Sequence, residues 1–422
     1  MPGTDRQLDL VLVGATGFVG RLTARYLAEH APAQLRVALA GRSRGRVESV
    51  RASLGAAAAG WDVVSVDVMD ETAVAALAAK TGVVVTTVGP YAKYGLPLIR
   101  ACAAAGTHYA DLTGEVLFVR EAVDTCHETA VASGAKLVTS CGFDSIPSDL
   151  GVLVLAEQVA ADGEGTLGET TLRVRSMRGG FSGGTIDSGR HQAAVAASSA
   201  QARRVIADSY SLSPDRAAEP PSRTRRPQRG GLHAALDKAS AMTSMGRNDR
   251  GRWSAPFVMA SHNTRIVRRS NALSGYRYGR GFRYAEVTDT GSGVLGAARA
   301  AGLTAALSGL LLGMSYAPTR SLLGRVLPKP GEGPSEQAQA AGRFVIDIET
   351  TTTTGARYVA RVSADKDPGY SGTAVMLGES GLCLAADDLP EGGGVLTPAT
   401  AMGDALTERL RAHGFVFDVR RA

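Results

Sequence analysis

The stretch from Leu8 to Gly20, LDLVLVGATGFVG, constrains the fold of this chain more than any other. A short apolar run ends at Gly14, and two further glycines follow at Gly17 and Gly20. Such a run bounded by glycine reads as a buried strand, and the glycine spacing reads as a tight turn that opens a helix. The chemistry this turn serves is diphosphate binding. Gly14 lets the chain turn, Gly17 lets the backbone approach a pyrophosphate, and Gly20 lets the helix pack closely on the strand. The amides that open the helix then face the anion, with the helix dipole behind them. Glycine is common here, 51 of 422 residues, so the spacing alone is a weak signal. The strand before it, the amphipathic helix Arg21–His30 and a second strand at the right distance strengthen it.

That second strand, Leu35–Ala40, runs into Gly41-Arg42-Ser43. An NAD site places an acidic residue near this point to hold the ribose 2′-hydroxyl. Arg42 instead suits a 2′-phosphate, with Ser43 as a further donor, which points to NADP; the alternative is that Arg42 only opens a surface helix. Trp61–Val68 reads as a third strand, with Asp67 placed to pass the adenine ring. Gly82–Val88 is β-branched and so reads as buried on both faces. It ends in Gly89-Pro90-Tyr91-Ala92-Lys93-Tyr94-Gly95. Strands alternating with helices at this rhythm imply an α/β fold, a doubly wound parallel sheet with ligands beyond the carboxyl ends of its strands. The Gly89–Gly95 loop lies at such an end, so Gly89 and Pro90 are candidates to touch the cofactor and Tyr91, Lys93 and Tyr94 to line the nicotinamide site, Tyr91 foremost; simple packing explains a tyrosine pair equally well. A second polar loop, Cys141–Asp149, follows the strand Ala135–Ser140. It offers Asp144 and Ser145 to the site, while Ser148 or Asp149 caps the helix Leu150–Ala161. Cys141 reads as a small buried thiol, because no histidine lies near it in sequence.

From about residue 165 the rhythm changes. Thr170–Ser176 alternates as a half-exposed strand, Thr185–Ala207 reads as a helix, and Ser211–Gly231 is a Pro- and Arg-rich excursion. Gly342–Thr354 and Gly355–Ser363 form an antiparallel hairpin, after a linker at Pro328–Pro334. The expected partition is a dinucleotide-binding domain at 1–150, completed by 395–422, and a second α+β domain at 151–394 with an antiparallel sheet. Ala300–Met314 is uncharged but shorter than the ~20 residues a spanning helix needs. It reads as a buried or interfacial helix, as the wall of an apolar tunnel, or as a peripheral membrane contact. The net charge is +6, with arginines clustered between Arg203 and Arg283, a cluster that would attract an anionic partner. No nucleic-acid-binding motif is present. Four cysteines without metal-ligand spacing imply free thiols, no metal and a reducing compartment. The polar start, with no secretory pattern, implies the cytoplasm.

The blocks VGATGFVG, ALAGRS, TTVGPYAKYGLP, YADLTGE, CGFDSIPSDLG, NTRIVRRSNAL, KPGEGPS, TTTTGARY and LTPATAMGDAL resemble the saccharopine dehydrogenase-like oxidoreductases. They are most similar to the trans-acting enoyl reductases of actinobacterial polyketide-lipid synthesis. The resemblance runs from Leu8 to about Leu410 and is weakest over Ala217–Trp253. It implies a Rossmann domain binding NADPH, with cofactor roles for Gly14, Thr16, Gly17, Phe18, Val19, Gly20, Arg42 and Ser43. It implies hydride transfer to a carbon–carbon double bond of an acyl chain carried by a polyketide synthase, in the making of phthiocerol-type lipids. A homodimer is expected, with the basic cluster docking an acidic carrier domain. Two alternatives stay open. One is a saccharopine-type reductase forming a C–N bond, with Arg268 and Arg269 on substrate carboxylates. The other is a non-catalytic NADP-binding scaffold at a lipid surface.

Overall fold

Leu8–Val13 forms strand β1 at the heart of a parallel sheet. Side chains alternate across a strand: Leu10 and Leu12 enter one apolar core, Val11 and Val13 another, and all four are buried. Burial on both faces is what a parallel sheet between two helix layers requires. The computed structural model describes residues 6–179, 183–219, 245–248, 251–315 and 335–422. After β1 come α1 (Phe18–His30), β2 (Val37–Gly41), α2 (Arg44–Ser53), β3 (Asp62–Ser65), α3 (Glu71–Ala79), β4 (Thr81–Thr86), α4 (Tyr91–Tyr94), α5 (Leu96–Ala105), β5 (His108–Asp111), α6 (Val116–Ser133) and β6 (Lys136–Val138).

The second half holds α7 (Ile146–Ala161), β7 (Leu167–Arg178), α8 (Gly183–Ser198), α9 (Ala200–Ala207), β8 (Gly246–Arg247), β9 (Arg252–Pro256), α10 (Ala260–Leu273), β10 (Arg283–Ser292) and α11 (Gly293–Ser315). It continues with α12 (Glu336–Ala340), β11 (Arg343–Thr352), β12 (Arg357–Ala364), α13 (Ser371–Ala386), β13 (Gly394–Leu396), α14 (Pro398–Ala401), α15 (Gly403–Ala412) and β14 (Val416–Arg421). The described residues make two seven-stranded sheets. The first, in the order β13-β6-β5-β4-β1-β2-β3, is parallel throughout; the second runs β14-β12-β11-β7-β10-β9-β8. The second is antiparallel except where β7 meets β10.

The chain does not divide at residue 150. That point falls inside α7, a helix packed on β11, β12 and β14 of the second sheet. Its Leu150 and Leu155 share one core with Leu10 of the first sheet and Ile348 and Val362 of the second. Helix α13, inside the range expected for the second domain, instead packs on α1, β1 and β4. The carboxyl-terminal segment is shared: β13 extends the first sheet beside β6, whereas β14 pairs with β12 on the edge of the second. Residues 185–207 divide at Ser199, whose hydroxyl accepts from Ala202 N at 3.2 Å and caps α9. The expected linker Pro328–Pro334 and most of the excursion Ser211–Gly231 lie outside the described residues. Helix α11 is not buried within 293–310, where only Gly296 and Ala300 are buried.

A buried carboxylate pins α13 to its neighbours. Glu379 accepts from Tyr26 of α1 at 2.5 Å and from Arg409 of α15 at 3.0 Å, and is 1% exposed. Arg409 also grips Asp387 with two bonds of 2.6 Å. Replacing Arg409 by Met leaves Glu379 as a buried charge without its cation, at a cost of about 3–5 kcal/mol. Urea unfolding is expected to show that loss for Arg409→Met and to recover part of it in Arg409→Met/Glu379→Gln.

Candidate active site

The functional loops meet because parallel strands share a direction, so the carboxyl ends of β1, β2, β4, β5 and β6 lie along one edge. At β1, Gly14 has φ +89° and donates to Ala40 O at 2.9 Å, while Thr87 Oγ1 donates to Gly14 O at 3.1 Å. Any side chain at residue 20 would bring its Cβ within 2.1 Å of Gly14 O. The start of α1 therefore sits directly on the turn. No side chain caps that helix start, which leaves its first amides for an anion. Arg21 Nη1 bonds Thr16 O at 2.8 Å and holds the turn from outside. Phe18 packs edge-on against Tyr370, ring centroids 5.0 Å apart, and Val19 is half-buried.

Arg42 follows β2 with its side chain exposed. Ser43 occupies the amino-terminal cap of α2, but its hydroxyl accepts no helix amide. Both are thus available to a phosphate on the ribose. Asp67 is exposed, and its Oδ1 closes a turn by accepting from Met69 N at 3.0 Å. Gly89 is exposed beyond β4, and the carbonyl of Pro90 accepts from Lys93 N and Tyr94 N.

The catalytic candidates separate sharply. The Tyr91 hydroxyl is buried; it donates to Thr86 O and accepts from Leu112 N, each at 3.1 Å. Burial pushes its pKa well up. Both hydroxyl bonds are committed to tying β4 to the loop after β5, so Tyr91 is a structural tie and not an available proton donor. Lys93 is exposed, with its ammonium 4.8 Å from the Tyr94 ring centre; its contact with Tyr94 raises its pKa. Asp144 differs from all three. Protein surrounds it closely, yet it keeps an accessible edge, and burial alone raises its carboxyl to about 6. Among the described residues no donor bonds it. Its Oδ2 lies 3.4 Å from where a Cβ on Gly114 would stand, with Met259 Cε on the same spot at 3.2 Å.

Three buried groups that sequence reasoning missed hold these loops together. Glu115 accepts from Tyr91 N, Ala92 N and Ser188 Oγ at 2.8, 2.9 and 2.6 Å, fastening α4 and α8 to the loop after β5. Asp111 accepts from Thr113 N, Ser140 N and the Tyr109 hydroxyl, each at 2.9 Å, and burial raises it to about 7. His262 Nε2 lies 2.9 Å from Ser140 Oγ, and burial lowers its pKa to about 3, so the ring is neutral. Asp111 and Glu115 stand in YADLTGE, but nothing local marks either as buried. Ser145 is buried against Asn263, and Asp149 accepts from Ser270 Oγ and Ala399 N, so neither faces the rim. The Cys141 thiol is buried and its pKa pushed up, which leaves it protonated and inert.

The arginines of α10 also point inward. Arg269 bonds Leu212 O and Val395 O at 2.6 Å, and Arg268 bonds Ser209 O and Tyr284 O. Arg265 bonds Ile206 O and Asp208 O. They satisfy carbonyls in the interior, so they do not form a docking patch for an anionic partner, and Arg268 and Arg269 do not await a dicarboxylate substrate.

Residues 10–138 match the family described as the saccharopine dehydrogenase NADP binding domain. Over its whole length the chain is 50% identical to 99% of a Mycobacterium tuberculosis protein that carries a provisional trans-acting enoyl reductase name. It is 46% identical to the full length of the trans-acting enoyl reductase of Mycobacterium bovis. The chain belongs to the trans-acting enoyl reductase family. Its first domain binds NADP, and the glycine turn with Arg42 and Ser43 fits that cofactor. The Mycobacterium ulcerans trans-acting enoyl reductase is 44% identical, again over all of both chains. In fold the chain is similar to Saccharomyces cerevisiae saccharopine dehydrogenase, with a TM-score of 0.53 at 12% identity over 98% of this chain and 99% of that one.

A hydrogen bond from a charged group contributes about 1.5–3 kcal/mol, roughly 10- to 100-fold in affinity. Arg42→Ala is expected to weaken NADPH binding by that factor and to leave NADH binding unchanged, as measured by nucleotide fluorescence titration. Equal losses for both nucleotides would remove Arg42 from 2′-phosphate recognition.

Proposed function

We propose that the chain reduces the α,β double bond of an acyl thioester presented on the phosphopantetheine arm of a carrier domain of a separate polyketide or fatty acyl synthase. The observation that carries this reading is Asp144: a carboxyl with an accessible edge, no hydrogen-bond partner among the described residues, and a pKa raised to about 6 by burial alone. The names of the full-length relatives support the reaction class, and the word trans-acting in them supports a separate synthase.

The residues divide the work. The amides at the start of α1 hold the diphosphate, while Arg42 and Ser43 hold the 2′-phosphate. NADPH supplies the hydride for the β-carbon when bound. Asp144 then gives its proton to the α-carbon, which completes the two-electron, two-hydrogen reduction. Its accessible edge allows water to restore that proton. Glu115 keeps α4 and α8 in place around the loops, with Gln192 Nε2 of α8 bonding Gly114 O at 3.4 Å. Lys93 and Tyr94 flank the acyl entry. Arg203, Arg204, Arg280 and Arg283 are exposed, basic groups free to meet an acidic carrier domain.

A general acid works in its protonated form, so kcat/KM is expected to fall as pH rises through about 6, the value to which burial raises Asp144. Asp144→Asn is expected to lower kcat by about 10²–10⁴ and to abolish that limb, with NADPH binding unchanged. Steady-state rates on an enoyl thioester across the pH range check this. Wild-type rates in Asp144→Asn would exclude Asp144 as the donor.

A further inference from the structure

Nothing in the reductase chemistry uses α11. Between Gly293 and Ser315 it carries a single charge, Arg299. Val294 is 87% exposed and Leu295 62%. A water-facing helix ordinarily shows a polar face; one apolar all round calls for an apolar surrounding. The helix is nevertheless seated on the body of the protein. Trp253 Cδ1 lies 3.4 Å from where a Cβ on Gly296 would stand, Thr290 Oγ1 donates to Gly296 O at 3.0 Å, and Ala300 is fully buried.

At its foot is a cavity of about 370 Å3, lined among others by Arg175, Arg252, Asp289, Arg299 and Leu303. Arg175 bonds Asp289, Asp347 and Glu349; Arg252 takes both oxygens of Asp289 at 2.8 Å. Arg361 shares Asp347, and Arg173 shares Glu349. Four arginines thus divide three carboxylates. Arg299, with no ion-pair partner among the described residues, adds to the surplus. Beside them Arg247 lies over the Trp253 ring, 5.9 Å from its centre. Arginine and tryptophan bordering an apolar surface are the residues that settle at the level of lipid headgroups.

We infer that α11 enters an anionic phospholipid bilayer, with the arginine cluster at its foot at the level of the headgroups. Charge selects this occupant. An anionic headgroup complements the surplus arginines, whereas a second copy brings the same surplus and the same net charge of +6. A helix pair, moreover, needs only one apolar stripe, while lipid wets every open side. Helix α8 packs against both α11 and α4, so the docked face stands one helix away from Lys93 and Tyr94. The inference stands without the reductase reading.

The test is co-sedimentation of the full chain with vesicles of phosphatidylcholine, alone and mixed with phosphatidylglycerol. Wild type is expected to bind the mixed vesicles about tenfold more tightly. Val294→Asp/Leu295→Asp, at two exposed positions, is expected to lose about tenfold or more. Arg299→Ala is expected to lose about fivefold on the mixed vesicles only. NADPH affinity, measured on each variant, is expected to stay at the wild-type value and reports separately on fold and cofactor site. No sedimentation with either vesicle overturns the inference, as does equal binding by Val294→Asp/Leu295→Asp. A dimer that this variant dissociates, with no vesicle binding by wild type, would assign the face to a second copy instead.

Discussion

Two residues at the first turn stand so close that no side chain fits between them: a Cβ on Gly20 would meet Gly14 O at 2.1 Å. That approach brings the start of α1 onto the end of β1 with its amides uncapped. Every other part of the site is placed relative to it. Thr87 bonds Gly14 O and fixes the end of β4; Tyr91 ties β4 to the loop after β5; Asp111 ties that loop to Ser140 beyond β6. Asp144 lies four residues beyond Ser140 in the same loop.

The chemistry of the rim follows from which polar groups are spent and which are not. Buried groups must find partners. Glu115 and Asp111 are used up by backbone amides and hydroxyls, Tyr91 by two backbone groups, and the arginines of α10 by carbonyls. Asp144 is desolvated with no partner among the described residues, which is the condition that raises a carboxyl's pKa toward neutral. The same logic leaves Arg299 outside the ion-pair network that absorbs Arg173, Arg175, Arg252 and Arg361.

The parallel sheet was legible because strands buried on both faces make continuous apolar runs, as in Leu8–Val13 and the β-branched Gly82–Val88, and because glycine spacing marks a turn with a specific use. The β11–β12 hairpin was legible from its alternation about Gly355, whose φ is +89°. The exchange of carboxyl-terminal strands was not: β13 has three residues, too few to show a period, and its place beside β6 is set by packing. Tyr91 misled because a hydroxyl in a loop at a strand end looks the same in sequence whether it faces a ligand or a carbonyl. The arginines of α10 misled because charge counts carry no direction. Asp144 is singled out in the sequence by its position at a strand end; its burial without a partner among the described residues is a property of the fold alone.

The central claim is that these loops carry out reduction of a carbon–carbon double bond with NADPH. The most direct measurement is mass spectrometry of the product formed from a carrier-bound enoyl chain and NADPH deuterated at C4, in ordinary water. The expected product carries one deuterium, at the β-carbon, and one solvent-derived hydrogen at the α-carbon. Recovery of the enoyl chain unchanged, or a product with no deuterium at the β-carbon, would contradict it.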